Sequence, residues 1–333
     1  MPSTKQKVTD KAVAVLQQGD AVIRPSKIPR VLRFPLIVVL STVLSAFLYS
    51  FTADYTVANL AGVSRRHEGW EDIVVLVASR ALELGLGWFG NYDSYDLTAL
   101  TLLSHGPPLY LLKTFYEVKP VAIILSLIID SLTSYIPFRL LRPLSLAHSA
   151  SISPNSVTVP NNEIVTSVSI QAYTTVLAAS IYAVTLYTAY SSYLPVYLVT
   201  YFSDIKTVAA VHNSSVVTLF PLTLLLGVAA RSFIFTPAAA SAPSKADAKL
   251  AAFNPASATL AETFWYNVWG FTTRTKIVIK RTATLMLIVG TNTFVQIFFT
   301  VEGVEAIGAA AYSGIWTLAA GITGAVLGLV GAA

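Results

Sequence analysis

From residue 34 to residue 53 the chain carries no charged side chain. An α-helix crosses the hydrocarbon core of a bilayer with about 20 such residues. The first expected span is 34–51, and further long apolar stretches with few or no charges follow at 73–89, 97–116, 120–138, 164–190, 214–235, 282–300 and 304–330. Charged residues make up 12% of the 333, about half of the roughly 25% usual in a soluble domain, and mean hydropathy is +0.64. Together these exclude a disordered chain, a coiled coil and an ordinary soluble enzyme. The expected fold class is all-α, a polytopic transmembrane helical bundle.

The expected span count is eight, or six if the second and third stretches are re-entrant. The second is interrupted by Arg80 and Glu83, and the third is read as broken at His105-Gly106-Pro107-Pro108. These two are neighbours, so losing both leaves the orientation of every other span unchanged. The apolar piece 193–202 carries Pro195 and is too short to cross.

Lys and Arg set orientation, because they collect in cytoplasmic loops. With eight spans and both termini cytoplasmic, sixteen basic residues fall on the cytoplasmic side. Five, Arg65, Arg66, Lys113, Lys119 and Lys206, fall on the other. The net charge of +5 therefore reads as membrane orientation, and no nucleic-acid partner is expected. Neither a cleavable secretory signal nor a mitochondrial presequence fits residues 1–33 well. The expected location is the endoplasmic reticulum or another endomembrane, with a mitochondrial membrane as the alternative.

Five segments are expected: a basic N-terminal segment (1–33), a six-span body (34–235), a Pro, Ala and Ser-rich linker (236–261), an aromatic-basic interfacial segment (262–281) and a two-span hairpin (282–333). In the interfacial segment Trp265 and Trp269 precede Arg274, Lys276, Lys280 and Arg281, a composition suited to anionic headgroups. In the last span Gly314, Gly321, Gly324, Gly328 and Gly331 share one helical stripe. Small residues so spaced let helices approach closely. The expected partner is the seventh span or the six-span body, with a homo-oligomer or a membrane-protein complex as the sharper alternative. Asn292 and Gln296, one turn apart, can hydrogen-bond that helix to a neighbour.

A charge at membrane depth asks for a partner or a water-filled cavity. Arg80 and Glu83 lie three apart on one helix, and Asp130 sits mid-span at a similar depth. An Arg80–Asp130 contact with Glu83 as third member is therefore expected. His105 joins Arg80, Glu83 and Asp130 as a candidate pathway residue; taken alone, it is read as a hydrogen-bonded core residue and not a metal ligand. There is no cysteine, and the four histidines form no local cluster. There is no phosphate-binding loop, dinucleotide fingerprint, H-E-x-x-H or G-x-S-x-G. No cofactor, metal or catalytic residue is expected. Two functions remain: a non-enzymatic protein that organises a membrane or a membrane complex, and a small ion channel or transporter using Arg80, Glu83, Asp130 and the broken third span.

Overall fold

The computed structural model describes residues 29–66, 69–152, 159–255 and 257–332. Most of the basic N-terminal segment lies outside them. Eight long helices succeed one another: α1 (Arg30–Phe51), α2 (Trp70–Phe89), α3 (Ser94–Phe115), α4 (Pro120–Leu141), α5 (Val168–Tyr190), α6 (Val216–Ala239), α7 (Thr273–Thr300) and α8 (Ala306–Ala332). Helix α6 passes through one π-helical turn at Arg231–Phe235. No strand is present among the described residues beyond two isolated bridges.

Six of these helices, α1 and α4 to α8, are long and apolar enough to cross a membrane. This is the architecture of a multi-pass integral membrane protein. The exposed side chains agree. Val39, Val43, Phe47 and Phe51 form an exposed apolar stripe at four-residue spacing along α1, as a lipid-facing surface requires.

The other two helices are as long but more polar. Helix α3 is at the centre, packed against α4, α6, α7 and α2, and only Lys113 on it is exposed. A helix enclosed by protein on every side has no lipid to match, so its composition is free to be polar. That is why hydropathy reads it poorly.

Helix α3 is also unbroken, contrary to the expectation from His105-Gly106-Pro107-Pro108. A helical proline removes the donor for the carbonyl four residues earlier. For Pro108 that carbonyl is Ser104, and it accepts from Asn292 Nδ2 on α7 at 3.1 Å. In α6 the same logic applies to Pro237 and the Phe233 carbonyl, which accepts from Arg281 Nη1 of α7 at 2.7 Å. Neighbouring side chains that replace lost backbone donors let prolines sit in membrane-depth helices without breaking them.

The glycine stripe faces inward within the chain. Added Cβ atoms at Gly321 and Gly328 would lie 3.2 Å from Met286 and 3.1 Å from Val278, and one at Gly324 would overlap Thr282, all on α7. Gly331 meets Phe235 at 3.7 Å, and Gly314 faces open space. The closest helix approach elsewhere is at Gly227, where a Cβ would come within 2.5 Å of the Thr175 carbonyl of α5.

The C-terminal hairpin is not a separate unit. Helix α7 packs on α2 and α3, and α8 packs on α5. Nor is 236–261 a plain linker: it completes α6 and forms a helix at Lys245–Ala251. Residues 194–201 form a short helix, as expected for a segment that cannot cross.

Successive long helices run in alternate directions. Residues 62–66, Gly69, Glu71, Asp72, Tyr116, Asp204, Lys206 and Glu302 meet at one end, called the outer end after the sequence expectation. Trp88, Tyr92, Arg142, His148 and Ser232 meet at the other. Of the 17 described basic residues, eleven lie towards the inner end and five towards the outer; the last is Arg80.

Candidate functional site

The sequence-predicted polar residues converge between α1, α2, α3 and α4. Arg80 and Glu83 are one turn apart on α2, with Arg80 Nη1 donating to Glu83 Oε2 at 2.7 Å. Arg80 Nη2 also donates to Ser134 at 2.9 Å and Thr133 at 3.0 Å. Glu83 Oε1 accepts from Thr101 at 2.8 Å. Asp130 does not pair with Arg80 as expected. Its Oδ2 lies 2.8 Å from His105 Nδ1, and its Oδ1 accepts from Tyr49 at 3.1 Å.

His105 is the residue that joins the two halves. Its Nε2 lies 3.3 Å from Glu83 Oε2, so one imidazole bridges both carboxylates. One guanidinium and one doubly protonated imidazole balance two ionised carboxylates in charge. The sequence places His105 among the polar residues at depth but does not show it as the bridge. The clue to the bridge is geometric. His105 and Thr101 lie one turn apart on α3, and Asp130 and Ser134 one turn apart on α4. Two neighbouring antiparallel helices thus present matching polar ladders.

The burial is graded. The Glu83 side chain is 2% exposed, His105 9% and Asp130 17%. The gradient points at a cavity of about 520 Å³ lined by Ser45, Tyr49, Arg80, His105, Ser126 and Asp130. Val63 and Ser64 line this cavity and also a larger one of about 1060 Å³ at the outer end, bordered by Arg65, Arg66, Glu71, Asp72, Asp204, Lys206 and Glu302. Charged residues of both signs therefore border the outer cavity, which shares the Val63 and Ser64 wall with the one that holds Asp130.

Towards the inner end the layers change character one helical turn at a time, each turn of four residues rising about 6 Å. Thr101, Glu83 and Ser134 form a polar layer. One turn on, Leu97, Gly87 and Phe138 form an apolar one. An added Cβ on Gly87 would lie 2.7 Å from Leu97 and 3.3 Å from Phe138. One turn further, Asp93 and Arg142 begin a second polar region.

That second region was not foreseen. Asp93 caps the N-terminus of α3, accepting from the Asp96 N–H at 2.9 Å. Asp93 Oδ2 also accepts from the Ser145 N–H at 2.8 Å and lies 2.7 Å from His148 Nδ1. Asp96 Oδ2 accepts from Arg281 Nη2 at 3.0 Å. The Arg281 guanidinium also stacks over Tyr92 and Phe233. Arg281 is thus an internal clamp and not the headgroup ligand that the sequence suggested. Arg142 donates to the Trp88 and Tyr92 carbonyls, each at 2.8 Å, and so closes the C-terminus of α2.

Burial alone would raise the Asp93 carboxyl. The hydrogen bond and charge of His148, with the two N–H donors, outweigh it and hold the group below the usual carboxylate range. Burial would likewise lower His148, but its hydrogen bond to Asp93 and the charges of Asp96 and Asp93 raise it above an ordinary imidazole. Ligand atoms of Asp93, Asp96 and His148 lie within 4.8 Å of one another. Arg281 already supplies the positive charge there and occupies both oxygens of Asp96. The set fits an ion-paired clamp better than a metal.

Of the expected headgroup residues, Trp265, Trp269 and Lys280 are exposed, and Arg274 and Lys276 are half-buried. No family model, curated protein or solved structure matches this chain. The fold and site define a class, a multi-pass α-helical membrane protein with a buried carboxylate–histidine–arginine network.

Proposed function

We propose that all eight long helices cross the membrane and that the protein moves protons through the recess ending at Asp130 and His105. The observation that carries this reading is the 520 Å³ cavity with Asp130 and His105 in its wall. Ionisable residues at membrane depth typically serve as proton relays when they face water and one another. Asp130, His105 and Glu83 form such a series, reached from the outer end.

The exposed side of α2 supports its crossing. Ile73, Val74, Val77 and Leu82 are exposed, while Glu83 is buried. An apolar exterior with charge turned inward is the arrangement lipid selects. The Leu97–Gly87–Phe138 layer separates the relay from the inner end. Protons therefore pass only when this layer moves, which makes the protein a gated carrier and not an open pore.

The chain lacks cysteine, so single cysteines report access directly. Ser45→Cys, at the half-buried cavity-lining position on α1, should react with a membrane-impermeant thiol reagent added from the outer side, and the reaction should block proton flux into proteoliposomes. An unreactive Ser45→Cys, or wild-type flux no greater than that of protein-free vesicles, overturns the proposal.

The second reading is a protein that organises a membrane or a complex. It is favoured by the exposed aromatic helix at Leu260–Trp269. It predicts co-purifying partners and no flux. It ranks second because three of the five stripe glycines face α7 of the same chain.

A further inference from the structure

The helix Leu260–Trp269 buries none of its residues. Leu260, Phe264 and Val268 lie four apart on one exposed face, and Trp265 and Trp269 on the adjoining one. Its start is well formed: Thr259 and Glu262 make a capping box. It is also held in place. The Phe253 ring stacks on Tyr266 with centroids 3.9 Å apart. Asp247 Oδ1 accepts from the Thr273 N–H at 2.7 Å and ties the preceding segment to the start of α7. An ordered helix with an apolar aromatic face and no protein covering it needs another apolar surface.

The position names that surface. The candidate span of α7 begins at Thr273, four residues after Trp269. Its charge-free stretch begins nine residues further on at Thr282, about 14 Å along the axis, so the aromatic helix stands on the headgroup side of the apolar core. Between this helix, the helix Lys245–Ala251 and the first turn of α7 is a groove of about 700 Å³. Its lining includes Lys249, Phe253, Trp265, Tyr266, Trp269 and Lys276. The Glu262 carboxylate in its wall accepts from the Thr259 N–H and hydroxyl, both at 2.8 Å. Neither lysine is ion-paired among the described residues. Tryptophan and tyrosine sit preferentially at headgroup level, and lysines there attract anionic lipid.

We propose that this groove binds an anionic glycerophospholipid of the inner-end leaflet. The phosphate lies between Lys249 and Lys276, and the upper acyl chains run along Trp265 and Trp269. The site is independent of the proton recess, which opens at the opposite end.

The test uses the full chain in nanodiscs of equal phosphatidylserine and phosphatidylcholine, with retained lipid counted by native mass spectrometry after gentle release. The wild type should retain phosphatidylserine over phosphatidylcholine by roughly fivefold or more, the scale set by one to two basic residues at a membrane surface. The ratio should fall towards one in Lys249→Glu/Lys276→Glu and persist in Lys249→Arg/Lys276→Arg. It should also persist in Lys119→Glu at the outer end. Trp265→Ala/Trp269→Ala should reduce retention of both lipids. Equal retention by the wild type, or an unchanged ratio in a well-folded Lys249→Glu/Lys276→Glu variant, overturns the proposal. So does displacement of the lipid by millimolar inorganic phosphate, which would mark a site for free anions.

Discussion

The molecule contains two clusters built from the same parts. In one, His105 lies between Asp130 and Glu83, and Arg80 pairs with Glu83. In the other, His148 pairs with Asp93, and Arg281 pairs with the neighbouring Asp96. What differs is the surroundings. The first borders a cavity, and its members grow more exposed towards Asp130. In the second, Asp93 caps a helix and Arg281 completes the hydrogen bonding of another. Residue type alone does not separate a working site from a clamp. Access to a cavity does, together with whether the groups already serve the backbone.

The largest effect should come from the clamp. Arg281→Met leaves the fully buried Asp96 without its partner and the Phe233 carbonyl without a donor. Removing one member of a buried pair costs about 3–5 kcal/mol. The expected result is a severe loss of folded protein, read as yield and thermal midpoint in detergent. A stable Arg281→Met would move this cluster out of the structural class.

A smaller effect tests the proline argument. Asn292→Leu removes the donor to the Ser104 carbonyl and should lower stability by about 1 kcal/mol, the scale of a hydrogen bond between membrane helices. Adding Pro108→Ala restores the backbone N–H at that carbonyl and should recover part of the loss. Additive losses in a double-mutant cycle would show that Asn292 does not serve that carbonyl.

The pH dependence should be milder still. His148 is raised in the folded state, so its contribution is complete below the unfolded imidazole value of about 6.5 and is lost as pH rises through the folded value. Asp93 is depressed, so its contribution is present above the unfolded carboxyl value of about 3.9 and is lost as pH falls through the folded one. Both are complete between about pH 4 and 6.5. The thermal midpoint should fall from pH 6 to pH 9, and His148→Gln should flatten that slope. An unchanged slope in the variant would assign the effect elsewhere.

Much of the fold was legible because lipid selects composition. Span 34–51 lies within α1, and 120–138 within α4. Where protein replaces lipid the signal fades. Helix α3 is polar because it is enclosed, and its prolines look disruptive because Asn292 lies far away in sequence. Arg80, Glu83 and Asp130 could be found as charges out of place. His105 could not be assigned as the bridge, because its two carboxylates come from different helices. The clamp was invisible for the same reason. Asp96 and Arg281 are 185 positions apart, and each sits near the end of an apolar stretch, where a charge attracts no notice. The glycine stripe was legible as a packing surface with α7 among its expected partners.

In the proposed proton path the cluster facing the cavity works and the other holds. This division is tested most directly by proton flux through Asp130→Asn in proteoliposomes, with thermal stability measured on the same preparation. Flux should fall to the level of protein-free vesicles, with a thermal midpoint close to wild type. Wild-type flux in a folded Asp130→Asn protein would contradict it.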